Sequence, residues 1–111
     1  MNSKKDRGDR AEREAAELLT EATGYEVRRQ LGAGRLDDIG DLDGIPKCVV
    51  QVADWKDPGR ACREKPRDAE MQRRNAKKKY AVSMIRWRGG TWTMVMTIEQ
   101  FSRLLRDALD E

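Results

Sequence analysis

The stretch Cys48-Val49-Val50-Gln51-Val52-Ala53 is the most continuous run of β-branched residues in the chain, and it decides the fold. An uninterrupted apolar run rich in valine is typical of a strand that is buried on both faces of a sheet. Gly44 and Pro46 mark a turn before it, and Asp57-Pro58-Gly59 marks its end. We therefore predict a central strand here, with Gln51 as its polar member.

The segments on either side predict an α/β domain with a mixed central sheet flanked by helices. Strand alternation and turn glycines predict strands over residues 25–31, 81–87 and 91–97, the last two joined as a hairpin at Gly89-Gly90, and a short strand in the acidic segment around residue 41. Helical spacing predicts helices over residues 10–23 and 66–79 and a closing helix that starts at a Thr97–Gln100 capping box. The element order is αβββαββα, and the helix between the third and fourth strands implies a crossover connection.

Composition limits the possible classes of protein. A chain of 111 residues forms one domain, so we assign residues 1–111 to it and expect residues 1–9 to be flexible. The complete absence of histidine excludes histidine–zinc sites and Ser-His-Asp triads. The two cysteines lack metal-ligand spacing, and no segment has the apolar length of a signal peptide or a membrane span. We therefore expect an intracellular, cytoplasmic protein without membrane contact.

The charges are segregated along the chain. Basic residues dominate residues 60–79, whereas residues 37–43 carry four aspartates and no base. A basic surface beside a carboxylate cluster suits a protein that holds a polyanion around a divalent metal. The alternative is that both segments are simply solvated, and that the aspartates cap turns beside their glycines.

Three short motifs, taken in order, resemble those of a known nuclease superfamily. Arg7-Gly8-Asp9-Arg10-Ala11-Glu12-Arg13-Glu14 is similar to the start of the first helix in archaeal and phage Holliday-junction resolvases. Gly24-Tyr25-Glu26-Val27-Arg28-Arg29 resembles their turn into an arginine-bearing strand. Gly40-Asp41-Leu42-Asp43-Gly44-Ile45-Pro46 resembles the motif that carries a metal-binding aspartate. The chain thus resembles the PD-(D/E)XK superfamily, whose core is of the restriction-endonuclease type.

This resemblance implies a metal-dependent phosphodiesterase site. Asp41 and Gln51 would bind Mg²⁺ or Mn²⁺, with Glu12 contributing from the first helix. In the family an acid and a lysine lie two residues apart, on one strand face, but here those positions hold Gln51 and Ala53. Two other residues could take the place of the family's lysine. A bulge could turn Asp54-Trp55-Lys56 toward the site, or the lysine could come from Lys65. As a buried amide, Gln51 is either hydrogen-bonded across the sheet or faces the site.

The function that the resemblance implies is that of an endonuclease acting on branched or structured DNA. The resemblance also implies a homodimer and a phage or prokaryotic origin, such as a phage-encoded protein in a bacterial host. The alternative is a catalytically inactive nuclease fold that binds DNA or a protein partner, because Gln51 is uncharged and Ala53 has no chemistry. We predict that phosphates are contacted by bases from three segments of the chain, namely Arg28, Arg29, Arg35, Arg63, Lys65, Arg73, Arg74 and Lys77.

Overall fold

The fold is an α/β arrangement of one mixed five-stranded sheet between helices, seen in a computed structural model that describes residues 4–30 and 40–110. The elements in these ranges are α1 (Lys4–Thr23), β1 (Arg28–Arg29), β2 (Leu42–Asp43), β3 (Cys48–Ala53), α2 (Pro58–Ala76), β4 (Tyr80–Arg86), β5 (Trp92–Val95) and α3 (Ile98–Leu109). The predicted fold class and element order are confirmed. None of the three helices in these ranges has the length and apolar composition of a membrane-spanning segment.

The strands lie side by side in chain order, from β1 at one edge to β5 at the other. Only β3 and β4 are parallel, in continuous register from Cys48↔Tyr80 to Ala53↔Ile85, and α2 makes the crossover between them. The other three pairs are antiparallel. The parallel pair is at the centre of the sheet, as the valine run of β3 predicts.

Strand alternation divides the core into two layers. Val50 and Val52 pack with Ala11 and Ala15 of α1 on one face of the sheet. On the other face, Ala53 packs with Ala61 of α2 and with Ile85. Because side chains alternate along a strand, Gln51 shares the α2 face with Ala53.

Helix α2 begins at Pro58, eight residues before the predicted start at Pro66. The carboxylate of Asp57 accepts a hydrogen bond from the backbone N–H of Arg60 at 3.0 Å and so caps the first turn. Pro58 then occupies the first helical turn, where a missing N–H costs nothing. Pro66 lies inside the helix instead, so the segment predicted to end a strand in fact starts the crossover helix.

Helix α1 begins at Lys4, six residues before the predicted start at about Arg10. Residues 4–9, which were expected to be flexible, therefore lie in its first turns. Two contacts hold them against the rest of the domain: Arg7 binds Asp54 at 3.1 Å, and Asp9 binds Arg29 at 2.7 Å. Both contacts involve residues distant in the chain, so helical spacing alone did not reveal this extension.

Helix α3 starts at the predicted capping box, which the structure confirms. The Thr97 hydroxyl accepts from the backbone N–H of Gln100 at 3.0 Å, and the Gln100 side chain accepts from the N–H of Thr97 at 2.9 Å. The amide nitrogen of Gln100 also donates to the carbonyl of Pro66 at 3.0 Å and to Glu70 at 3.2 Å. Gln100 is 1% exposed, and it joins α3 to α2.

Glu70 makes the folded protein sensitive to acid. Hydrogen bonds from Arg73, then from Gln100, lower the pKa of the Glu70 carboxyl from 4.5 to about 2. Because the folded pKa is lower than the unfolded one, this stabilisation is present above about pH 4.5 and is lost as the pH falls toward 2. We expect Glu70→Gln to remove about 2 kcal/mol of that pH dependence, after allowance for partial exposure. Urea titrations between pH 2.5 and 7 measure it, and parallel curves for the two proteins would contradict the assignment.

Candidate functional site

Asp41 and Gln51, the two predicted metal ligands, come together at the junction of β2 and β3. The backbone N–H of Asp41 donates to the carbonyl of Val50 at 3.0 Å. The Asp41 carboxylate accepts from the backbone N–H of Val52 at 2.8 Å. These two bonds flank Gln51, so Asp41 is held beside it on the neighbouring chain segment. Gly40, with φ +103°, provides the bend that places Asp41 there.

Gln51 is buried, with 5% of its surface exposed. Within the described residues, its side-chain carbonyl oxygen has no hydrogen-bond donor. Its neighbour on β4 is Ser83, which is fully buried on the same face of the sheet. A buried polar atom without a partner costs about 1–3 kcal/mol, so an oxygen in this state is ready to accept a proton donor or to ligate a cation.

Glu12 does not join Asp41 and Gln51. Its carboxylate accepts a hydrogen bond from Arg29 at 3.1 Å, in a cluster that also includes Asp9. Glu12 belongs to α1, which packs on the sheet face opposite the Gln51 side chain. The structure thus separates the third predicted ligand from the second by the thickness of the sheet.

The described residues do not form a complete site for Mg²⁺ or Mn²⁺. Residues 4–30 and 40–110 contain no group of three acidic or cysteine side chains close enough to hold a metal. Beside Gln51 they supply the Asp41 carboxylate, which already accepts the N–H of Val52, and a neutral amide oxygen. This is less ligand charge than a pair of carboxylates provides. Asp37 and Asp38 of the acidic segment lie outside the described residues.

The proposed replacements for the missing lysine are not brought to Gln51. No bulge interrupts β3 between Cys48 and Ala53, where its register with β4 is continuous. Asp54 therefore lies on the opposite face from Gln51, where it binds Arg7. Lys65 is largely covered, with its ammonium 5.1 Å from the centre of the Trp55 ring and 3.9 Å from Asp68.

A cleft lies at the carboxyl ends of the parallel strands β3 and β4. It consists of two adjoining hollows of about 200 and 390 Å³ that share Arg7, Asp54 and Arg86. In open α/β sheets, ligands commonly bind outside the carboxyl ends of parallel strands. Five bases, two acids and two tryptophans line the cleft: Arg7, Arg10, Lys56, Arg86, Arg88, Glu14, Asp54, Trp55 and Trp87.

Two ion pairs position the arginines at the centre of this cleft. Asp54 holds Arg7, and Glu14 accepts a hydrogen bond from Arg86 at 3.2 Å. The indole N–H of Trp92 donates to the same Glu14 oxygen at 2.6 Å. Hydrogen bonds from Trp92 and then from Arg86 lower the pKa of the Glu14 carboxyl, so it stays ionised and keeps Arg86 in place.

Lys56 and Arg88 are the exposed cations of the larger hollow, and Arg10 is exposed in the smaller one. Lys56 follows the end of β3, and Arg88 lies in the turn between β4 and β5. No ion pair joins either side chain to another described residue. Their charges thus face solvent at the mouth of the cleft, beside the half-buried rings of Trp55 and Trp87.

The other cations predicted to bind DNA divide into two groups. Arg29 is held by Asp9 and Glu12, and Arg73 is held by Glu70 and the carbonyl of Lys78. These arginines stabilise the fold and are not available to phosphates without breaking those contacts. The exposed members are Arg28, which is paired with Glu26, together with Arg63, Arg74 and Lys77 on α2 and at its end. Arg35 lies outside the described residues.

Sequence reasoning did not identify Arg7, Arg10, Arg86 or Arg88 as site residues. They belong to three separate elements, and only the completed sheet brings them to one edge. The available signal was the predicted parallel pair of strands, because the residues that follow two parallel strands meet at one end of a sheet.

Comparison with family models, with curated proteins and with solved structures finds no match for this chain. The residues and geometry of the cleft and of the Asp41–Gln51 junction therefore carry what can be inferred about function.

Proposed function

We propose that this protein is a DNA-binding module with a nuclease-like fold, which holds the phosphate backbone in its cleft without cutting it. The observation that carries the proposal is the pair of exposed cations, Lys56 and Arg88, beside the positioned arginines Arg7 and Arg86. Contacts of this kind give affinity without sequence preference, because every nucleotide carries the same phosphate.

The cleft offers apolar surface as well as charge. Trp55 and Trp87 line the same hollow as Lys56 and Arg88. The Trp87 indole N–H donates to the Thr93 hydroxyl at 2.8 Å, which fixes the orientation of its ring. A fixed ring beside a phosphate-binding cation suits contact with a sugar or an unpaired base, so structured DNA with exposed bases is the ligand class we favour.

Binding is favoured over cleavage by the chemistry at the Asp41–Gln51 junction. Metal-assisted hydrolysis needs carboxylates to hold the cation, and a positive group near the attacking water stabilises the developing charge. The described junction supplies the carboxylate of Asp41 and the neutral amide of Gln51, and Ala53 packs into the apolar layer beneath α2.

Metal-dependent cleavage of branched DNA is the second candidate function. The observation in its favour is the buried carbonyl oxygen of Gln51, unpaired within the described residues, beside the Asp41 carboxylate. Mg²⁺ often binds through one or two carboxylates together with substrate phosphates, so bound DNA could complete a weak ligand set. This candidate requires catalysis to depend on the charge of Asp41.

The two candidates are separated by assaying binding and cleavage together. The protein is incubated with a four-way junction, a flap and a linear duplex, in Mg²⁺, Mn²⁺ or EDTA. We expect DNA binding that weakens steeply with salt, and no cleavage product. Cleavage in metal that Asp41→Asn abolishes would establish the second candidate instead. Asparagine is the suitable control because its amide oxygen can still accept the N–H of Val52. Absence of binding to all three substrates contradicts both candidates.

A further inference from the structure

The smaller hollow of the cleft is lined mainly by charged side chains. Its volume is about 200 Å³, and its lining includes three arginines, Arg7, Arg10 and Arg86, together with the acids Glu14 and Asp54. Arginine is well suited to bind phosphate, because its planar fork can donate two parallel hydrogen bonds to phosphate oxygens. The smaller hollow is therefore a candidate phosphate site in its own right.

The two carboxylates occupy only part of the hydrogen-bonding capacity of these arginines. Arg86 donates from Nε to Glu14, and Arg7 donates from one terminal nitrogen to Asp54. A guanidinium carries five N–H groups, so both arginines keep donors beyond these bonds. Arg10 is exposed and forms no ion pair with another described residue. The acids thus orient two of the guanidinium groups, while the third keeps its charge unopposed.

One wall of the smaller hollow is helix α1. The four lining residues on this helix, from Arg7 to Glu14, follow the spacing i, i+3, i+4 and i+7 and so share one face. The other wall is formed by Asp54 and Arg86, where β3 and β4 end, and both residues also line the larger hollow. A DNA strand that follows the cleft from the larger hollow therefore reaches α1 in the smaller one, where a strand end fits better than a continuing backbone.

We propose that the smaller hollow binds the terminal phosphate of a DNA strand whose adjoining nucleotide lies in the larger hollow. The inference rests on the proposed DNA-binding function and specifies which part of the DNA the cleft recognises. An internal phosphate carries one negative charge, whereas a terminal phosphate carries about 1.5 to 2 at pH 7 and has three strong acceptor oxygens. The excess of bases over acids in the cleft favours the more highly charged group.

DNA overhangs that differ only in their terminal group test the inference. Two labelled duplexes are compared, one with a 5′ and one with a 3′ single-stranded overhang, each made with either a phosphate or a hydroxyl at the end of the overhang. Fluorescence anisotropy at low salt, in EDTA to prevent metal-dependent cleavage, gives each dissociation constant. On at least one of the overhangs the phosphate should lower the dissociation constant about tenfold, as expected for one additional charge-assisted hydrogen bond.

Arg10→Gln and Arg13→Gln separate a contact in the hollow from general charge attraction. Arg13 is the matched control, because it is exposed on the same helix and carries the same charge but does not line the hollow. Arg10→Gln should remove most of the affinity advantage of the phosphate end, whereas Arg13→Gln should keep it. Far-UV circular dichroism establishes that both variants keep their helices.

The outcomes distinguish this inference from the proposed function. Equal binding of phosphate and hydroxyl ends on both overhangs overturns the inference. So does a phosphate advantage that Arg10→Gln leaves intact, or that Arg13→Gln reduces equally. In these cases binding of the hydroxyl ends still supports the proposed DNA-binding function. Absence of binding to every overhang contradicts the proposed function itself, and the inference with it.

Discussion

Gly44→Ala is expected to lower the free energy of unfolding by about 3–5 kcal/mol, from backbone strain together with steric overlap. Gly44 has a φ of +122°, a conformation that L-residues with a side chain rarely adopt. An added Cβ would also overlap the carbonyl oxygen of Glu26 and lie 2.9 Å from the Cα of Val27. Both obstacles are backbone atoms, so a rotamer change cannot relieve the overlap.

Alanine substitutions at two other glycines separate the contribution of backbone strain from that of steric overlap. At Gly24 the φ is +80° but no atom lies within 4 Å of an added Cβ, so Gly24→Ala introduces strain alone. Gly8 lies inside α1 with open space around it, and Gly8→Ala should stabilise the helix by up to about 1 kcal/mol. Urea denaturation should show the largest loss in the free energy of unfolding for Gly44→Ala, a smaller loss for Gly24→Ala and a gain for Gly8→Ala. A Gly44→Ala protein within about 1 kcal/mol of the wild type, the range of ordinary mutational effects, would contradict the close approach of residue 44 to the backbone of Glu26 and Val27.

Reversing the two exposed charges of the larger hollow is expected to weaken DNA binding on the order of 100-fold at low salt, because two proposed phosphate contacts become repulsive. The variant is Lys56→Glu/Arg88→Glu. Neither residue forms an ion pair with another described residue, so the reversal should leave the fold unchanged. The logarithmic dependence of affinity on salt should also become shallower by about 2, one for each lost contact. Fluorescence anisotropy with a labelled junction measures both quantities.

The matched control for this variant is Arg63→Glu/Arg74→Glu. Both arginines are exposed on α2, and their reversal changes the net charge of the protein by the same amount. A smaller loss of affinity is expected in the control, because general electrostatic attraction changes equally in the two variants. Equal losses would show general attraction alone and contradict a contact in the cleft, and a larger loss in the control would place the DNA contact on α2, as the basic stretch in the sequence predicts.

Much of the fold could be predicted because its signals are local. The valine run of β3 and the Thr97–Gln100 capping box each lie within six residues, and both are confirmed. The predicted start of α2 was wrong because two prolines, Pro58 and Pro66, suit the first turn of a helix equally well. The Asp57 cap decides between them, and its hydrogen bond to Arg60 became evident only in the structure.

The candidate site was less predictable, for reasons that differ between its parts. The spacing in the chain brought Asp41 beside Gln51, because β2 and β3 are joined by a short turn. The period of two along a strand implied that Asp54 and Gln51 face opposite sides unless a bulge intervenes, and none does. The cleft depends on long-range contacts such as Arg7 with Asp54 and Arg86 with Glu14, which no local pattern encodes.

The most direct test of the central claim is a titration of ¹⁵N-labelled protein with a short DNA duplex, followed by backbone and indole chemical shifts. If the cleft at the ends of β3 and β4 holds the phosphate backbone, the largest shifts will fall on Lys56, on residues 86–89 and on the indole N–H groups of Trp55 and Trp87. Shifts confined to residues 60–79 of α2, or centred on Asp41 and Gln51 with the cleft unchanged, would contradict it.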